Sequence, residues 1–172
     1  SPTAANRARF ATEMSAKLGI PVTPVDSAEA AVRGRKVVAT ASNARSSEPI
    51  LRGAWLEGCR LLCAVGNTRP NFAEADTQCF ADARLVVVDT LHAVEEAGDL
   101  RQATAANVLP TSKLASLAQI INGEIKVPAQ GIVTFKSVGS ALQDLALASR
   151  YYELLKDKPG IINGPVIASL RD

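Results

Sequence analysis

Three short apolar runs constrain the fold of this chain more than any other feature. They are Lys36-Val37-Val38-Ala39-Thr40-Ala41, Arg60-Leu61-Leu62-Cys63-Ala64-Val65, and Leu85-Val86-Val87-Val88, the last ending in Asp89. None alternates polar with apolar residues, as a strand with one wet face would. Runs of this kind are strands buried on both faces of a parallel sheet. The core has to be built from Ala, Val, Leu and Ile, because 47% of the residues are hydrophobic and only 4% aromatic.

Helical signals separate the runs. Thr3 reads as the N-cap of an Ala-rich helix reaching about Leu18 and stopped by Gly19, with Phe10, Met14 and Leu18 on one face. Ser27 caps a short helix through Ala30 and Val32, closed by Gly34, and Asp76 to Ala83 leaves room for another. Thr90 is placed as the cap of a helix through Val94, terminated by Gly98. Thr111 is placed as the cap of a helix carrying Leu114, Leu117, Ile120 and Ile121, with Gly123 as its stop. A last long helix spans roughly Ser140 to Lys156. Further strands are expected at Ile20 to Val25, Gly131 to Phe135 and Ile161 to Ile167. This alternation implies right-handed βαβ crossovers and a doubly wound, mostly parallel α/β sheet. Residues 1–158 read as one domain. Residues 159–172, beyond the break at Pro159-Gly160, are expected to leave it as a tail that packs on a part of the protein absent from this chain.

Several function classes drop out. With 19 basic and 17 acidic residues, a net charge of +2 and no basic tract, nothing points to nucleic acid or an anionic membrane. No apolar run approaches the roughly 20 residues that span a bilayer, and no signal peptide is visible, so a cytoplasmic setting is expected. The chain lacks an initiating Met, and the natural protein is expected to begin upstream. Cys59, Cys63 and Cys79 lack metal-ligand spacing and read as small buried hydrophobes. His92 is the sole histidine, so neither a His-based zinc site nor a Ser-His-Asp triad is expected, and no metal.

In doubly wound sheets, ligands bind beyond the carboxyl ends of the strands. That rule selects the loops Thr40-Ala41-Ser42-Asn43, Gly66-Asn67-Thr68-Arg69-Pro70 and Asp89-Thr90. The phosphate-binding G-x-G-x-x-G is absent, and the opening on a helix cap suggests that the first strand and its turn lie upstream. Glu95, Glu96, Asp99 and Asp157 read as solvated charges. Glu74 reads as an anchor of the Gly66 loop and Asp76 as an N-cap. A buried Lys136 would be expected to pair with a carboxylate.

Four ordered phrases then resemble the ornithine cyclodeaminase/mu-crystallin family. They are Gly53-Ala54-Trp55-Leu56-Glu57-Gly58; Ala64-Val65-Gly66-Asn67-Thr68-Arg69-Pro70 with Glu74 and Asp76; Val86-Val87-Val88-Asp89 with Glu95-Glu96-Ala97-Gly98-Asp99-Leu100; and Thr134-Phe135-Lys136-Ser137-Val138-Gly139-Ser140-Ala141 with Asp144. The resemblance runs from about Thr3 to Tyr152. It implies most of a Rossmann-type domain that binds NAD or NADP, in a two-domain homodimeric enzyme that exchanges hydride at a carbon bonded to nitrogen. The substrate would be an amino acid, a keto acid or a cyclic imine.

Carried over by position, Val65, Gly66 and Asn67 would line the nicotinamide end, and Thr40, Ala41 and Ser42 the ribose and phosphates. Ser137 would contact the nicotinamide side, and Thr3, Asn6 and Arg7 the adenosine ribose. With no acidic residue among those last three, NADP is favoured over NAD. Thr68 is the expected catalytic position. Ornithine cyclodeaminases proper carry an Asp there and a Lys at the position of Phe72, whereas Thr68-Arg69-Pro70 resembles the mu-crystallin-like reductases. Imine or keto-acid reduction is therefore favoured over ornithine deamination. The alternative is a non-catalytic NADP(H)- or small-ligand-binding protein on the same fold. The family's substrate-binding Arg and Lys residues lie upstream, so this chain by itself is expected to have little activity.

Overall fold

The computed structural model describes residues 3–43 and 45–160. The chain divides into two compact units, Ser1–Val138 and Gly139–Asp172.

The first unit opens with α1 (Ala4–Leu18), which ends where Gly19 turns left-handed at φ 67°. Ser27 caps α2 (Ala28–Val32) by accepting from the Ala30 amide. The strands β1 (Val37–Thr40) and β2 (Leu61–Ala64) follow, separated by a loop with one 3-10 turn at Gly53–Trp55. Next come α3 (Gln78–Ala81), β3 (Ala83–Val88), α4 (Ala93–Glu96), α5 (Gly98–Ala105), β4 (Leu114–Ser116), α6 (Leu117–Ile121) and β5 (Ile132–Lys136). The five strands form one sheet in the order β1-β2-β5-β3-β4, every pair parallel. This is the expected α/β, Rossmann-type architecture.

The apolar runs behave as strands covered on both sides. Along β3, Val86 and Val88 join the larger core with Leu62, Phe80 and Leu100, while Leu85 and Val87 join a smaller one with Ala115, Val133 and Leu117. Successive side chains of a strand point to opposite faces, so both faces need apolar residues and no polar alternation appears. Thr134 is buried within β5, and its hydroxyl donates to the Cys79 carbonyl at 3.0 Å.

Four expectations need correction. Ile20 to Val25 is not a strand: Pro21 and Pro24 have no amide proton, and the Val22 amide donates instead to Ser15 Oγ at 2.9 Å. Gly98 does not end the helix after Thr90. It begins α5, and the α4 helix starts later, behind His92. Thr111 opens only a 3-10 turn at Thr111–Lys113, and the residues after it form β4. The helix there is capped by Ser116, which makes a full capping box with Gln119. Asp99 is not a solvated charge but wholly buried. The strand expected at 161–167 lies outside the described residues.

The second unit carries α7 (Ala141–Leu155), none of whose residues is buried. No helix among the described residues is long and apolar enough to cross a membrane.

Candidate functional site at the carboxyl ends of the strands

The register brings four strands to an end on one line. Thr40 pairs with Ala64, Ala64 with Lys136, and Lys136 with Val88. The loops beyond these residues therefore start at one level. Three buried charged groups then tie the loops to each other.

Glu74 is the first. It is fully buried, and its carboxylate accepts from Ser42 N at 2.6 Å, Ser42 Oγ at 2.5 Å, Thr40 Oγ1 at 3.1 Å and Gly66 N at 2.8 Å. Four donors at hydrogen-bond distance substitute for the lost water shell, which is what a buried carboxylate requires. The contact also explains Gly66. A Cβ built on that residue would collide with Glu74 Oε1 and with the backbone N and O of Ser42, so only glycine lets the β1 and β2 loops approach this closely.

Asp89, at the end of β3, is the second. Its Oδ2 accepts from Ser137 Oγ at 2.8 Å and Val138 N at 2.9 Å, and its Oδ1 from Thr90 N at 3.0 Å.

The third is Lys136, the last residue of β5. It is wholly buried, donates from Nζ to the Asn67 carbonyl, and forms an ion pair with Asp99 Oδ2 at 3.4 Å. Burial pushes the Asp99 carboxyl above its ordinary range, and the Lys136 ammonium opposes that shift without cancelling it. Asp99 lies in the first turn of α5, whose leading amide, Gly98 N, donates to Arg69 O at 3.1 Å. A Cβ on Gly98 would collide with the carbonyl oxygens of Pro70 and Phe72. The helix start thus packs directly against the Gly66–Phe72 loop.

Asn67 is held at two points inside that loop. Lys136 holds its carbonyl, and its Oδ1 accepts from Arg69 N at 3.0 Å in a local turn. Its Nδ2 is buried with no hydrogen-bond partner among the described residues.

A cleft of about 1200 Å³ opens beside α1 and the β1 loop, lined by Asn6, Arg7, Phe10, Ala41, Ser42 and Asn43 together with residues 22–28. Arg7 reaches across part of it to Asp26 at 2.7 Å. A second hollow of about 740 Å³ lies at the other end of the strands, by Lys36, Arg60 and Ile132 at the amino ends of β1, β2 and β5. Ligands of parallel sheets gather at the opposite end.

The sequence-selected residues fall into three groups. Asn6, Arg7, Ala41 and Ser42 line the large cleft. Thr40, Gly66, Asn67 and Ser137 belong to the hydrogen-bonded strand ends. Thr3, Val65 and Thr68 are exposed and do not line the cleft. The sequence reading missed Asp99 as a partner of Lys136. An Asp in the first turn of a helix looks like any solvated helix-start acid, and the only local hint is the apolar surround of Ala97, Gly98 and Leu100. Cys59 and Cys79 are buried and Cys63 is half-buried; burial raises the thiol pKa of all three, as expected of unreactive cysteines.

Comparison with known proteins agrees with this geometry. The family model described as the ornithine cyclodeaminase/mu-crystallin family matches residues 2–159. Delta(1)-pyrroline-2-carboxylate reductase of Bacillus cereus is 34% identical over 148 residues, covering 84% of this chain and 45% of that protein. Ketimine reductase mu-crystallin of Mus musculus is 32% identical over 127 residues, covering 74% of this chain and 38% of that protein. Among solved structures, Thermococcus litoralis Delta(1)-pyrroline-2-carboxylate reductase, in complex with NADH and L-proline, superposes with a TM-score of 0.78 at 32% identity. That match covers 88% of this chain and 47% of that one. The chain thus spans less than half the length of these relatives. With its sheet, its level strand ends and its motifs in agreement, this chain belongs to the ornithine cyclodeaminase/mu-crystallin family.

Proposed function

We propose that the intact protein is an NAD(P)-dependent oxidoreductase that reduces a cyclic imine, or a related imino or keto acid, at a carbon bonded to nitrogen. The observation that carries this reading is the uncharged, exposed Thr68 at the tip of a loop held level with the other strand ends by Glu74 and Lys136. A hydroxyl there can hydrogen-bond an imine nitrogen or a carboxylate without burying a charge. The names of the relatives support the same substrate class.

The residues present fit a nicotinamide cofactor. Gly66 is half-buried at the end of β2, where its missing side chain lets the β1 loop close in, and the Asn67 side-chain amide keeps one donor without a partner among the described residues. When bound, the cofactor supplies the hydride; the protein orients the reactants and keeps them together. In this reading Val65, Gly66 and Asn67 flank the nicotinamide with Ser137, and Thr40, Ala41 and Ser42 follow the ribose and phosphates. Thr3, Asn6 and Arg7 meet the adenosine ribose. The Arg7 guanidinium at the cleft, with no acidic residue among Thr3, Asn6 and Arg7, favours NADP over NAD. We place the protein in the cytoplasm as a homodimer.

The test is steady-state turnover by the intact protein of pyrroline-2-carboxylate and piperideine-2-carboxylate with NADPH and with NADH. Thr68→Asp puts a carboxylate beside an anionic imine and is expected to lower kcat/KM by about tenfold or more, with Thr68→Val losing less. Unchanged kinetics in both variants remove Thr68 from the site. Absence of turnover across imines, keto acids and basic amino acids removes the enzyme reading. Cofactor binding without turnover would identify a binding protein on this fold.

A further inference from the structure

A lysine ammonium and a carboxylate, each with no exposed surface, are costly in a core otherwise built of Ala, Val and Leu. Apolar residues of the same size would fill the space at least as stably. What the pair does that apolar residues cannot is hold a backbone carbonyl. Lys136 donates to Asn67 O, in the loop that carries Thr68. Asp99 sits beside that ammonium from α5, and α5 grips the same loop through Gly98 N and Arg69 O. Asn67 is therefore held by its carbonyl and by its Oδ1, leaving one donor, Nδ2, buried and without a partner among the described residues. An unsatisfied buried donor is a standing cost unless an acceptor arrives with a ligand.

We propose that Lys136 and Asp99 are positioning residues. They hold the Asn67–Pro70 loop in its ligand-binding conformation, and the donor they present is the side-chain amide of Asn67. The acceptor it awaits is an uncharged or anionic oxygen of the bound cofactor or substrate. The identity of that ligand rests on the function proposed above; the clamp itself does not.

Three variants of the intact protein test it, each read by thermal midpoint, by amide hydrogen exchange of residues 66–70 without ligand, and by titration with NADPH and NADH. The double variant K136M/D99L removes both charges and keeps the volume. It is expected to melt no lower than wild type, to exchange the loop amides about tenfold faster, and to bind cofactor about tenfold more weakly. D99N, an isosteric change, covers the case in which the double variant fails to fold. It is expected to shift exchange and affinity the same way by a smaller factor. N67S keeps an acceptor for Arg69 N and replaces the orphan amide donor by a shorter hydroxyl that does not reach the position of Nδ2, so it is expected to hold or raise the melting point while weakening cofactor binding about tenfold. A purely structural role would move stability and binding in the same direction.

Unchanged loop exchange in a folded K136M/D99L or D99N overturns the clamp. N67S binding both cofactors as tightly as wild type overturns the donor assignment. If wild type binds neither cofactor, the proposed function falls, while the exchange comparison still decides the clamp.

Discussion

Glu74 shows how one buried side chain can join two loops. Its two oxygens take four donors, from the end of β1 and its loop and from the start of the β2 loop, so one carboxylate links the two. Glu74→Gln keeps the shape but turns half of that acceptor surface into a donor facing donors. Hydrogen bonds to an ionised group contribute about 1.5–3 kcal/mol each, and leaving one buried partner unmet costs a similar amount. The variant is expected to lose about 3 kcal/mol of stability, measured by urea unfolding. A loss below about 0.5 kcal/mol, the usual range of an inert surface change, would show that these contacts do not hold the loops.

At the scale of elements, the start of α5 is the feature that fits its neighbour most closely. Gly98 is needed there for space rather than for backbone freedom, because its hydrogen faces the carbonyls of Pro70 and Phe72. Gly98→Ala improves the intrinsic helix propensity of α5 by at most about 1 kcal/mol, since the residue is the first of the helix. It also drives a methyl group into two backbone oxygens that have no side chain to swing aside. Overpacking of this kind costs about 1–3 kcal/mol, so net destabilisation is expected, together with weaker cofactor binding through the displaced loop. A stabilised Gly98→Ala protein with normal binding would mean that the loop yields freely. The α6 helix makes the contrasting case. Its capping box lies wholly within Ser116 to Gln119, so its start depends on local sequence alone.

At the scale of the whole molecule, the buried charges set a pH response. Burial raises the Asp99 carboxyl above the unfolded value of about 4. The folded state then holds this proton more tightly than the unfolded chain does. The stabilisation from protonated Asp99 is fully present below the unfolded pKa and is lost as pH rises through the folded one. Unfolding free energies of wild type and D99N, measured across that window, are expected to show the wild-type advantage shrinking as pH rises. An advantage that grows with pH would mean that the Lys136 ammonium outweighs burial. Much of this molecule was legible in its sequence. Short unalternating apolar runs fit a parallel sheet covered on both faces, and the capped stretches around them fit the helices that cover it. The ordered motifs placed the chain in its family, and Glu74 could be read as a loop anchor because it follows a glycine turn. These are signals of short range or of pattern, and they need no knowledge of what lies across the sheet. Other features depended on such knowledge. Ile20 to Val25 has a strand's composition but no partner among the described residues, and a strand is defined by its partner. Residues 114–116 continue a helical pattern in the sequence, yet they pair with β3 as a strand. Asp99 carries the local mark of a solvated helix-start acid, and only its approach to the end of β5 turns it into the buried partner of a lysine 37 positions away. A charge's solvation depends on everything around it in space, and that is decided by the tertiary structure.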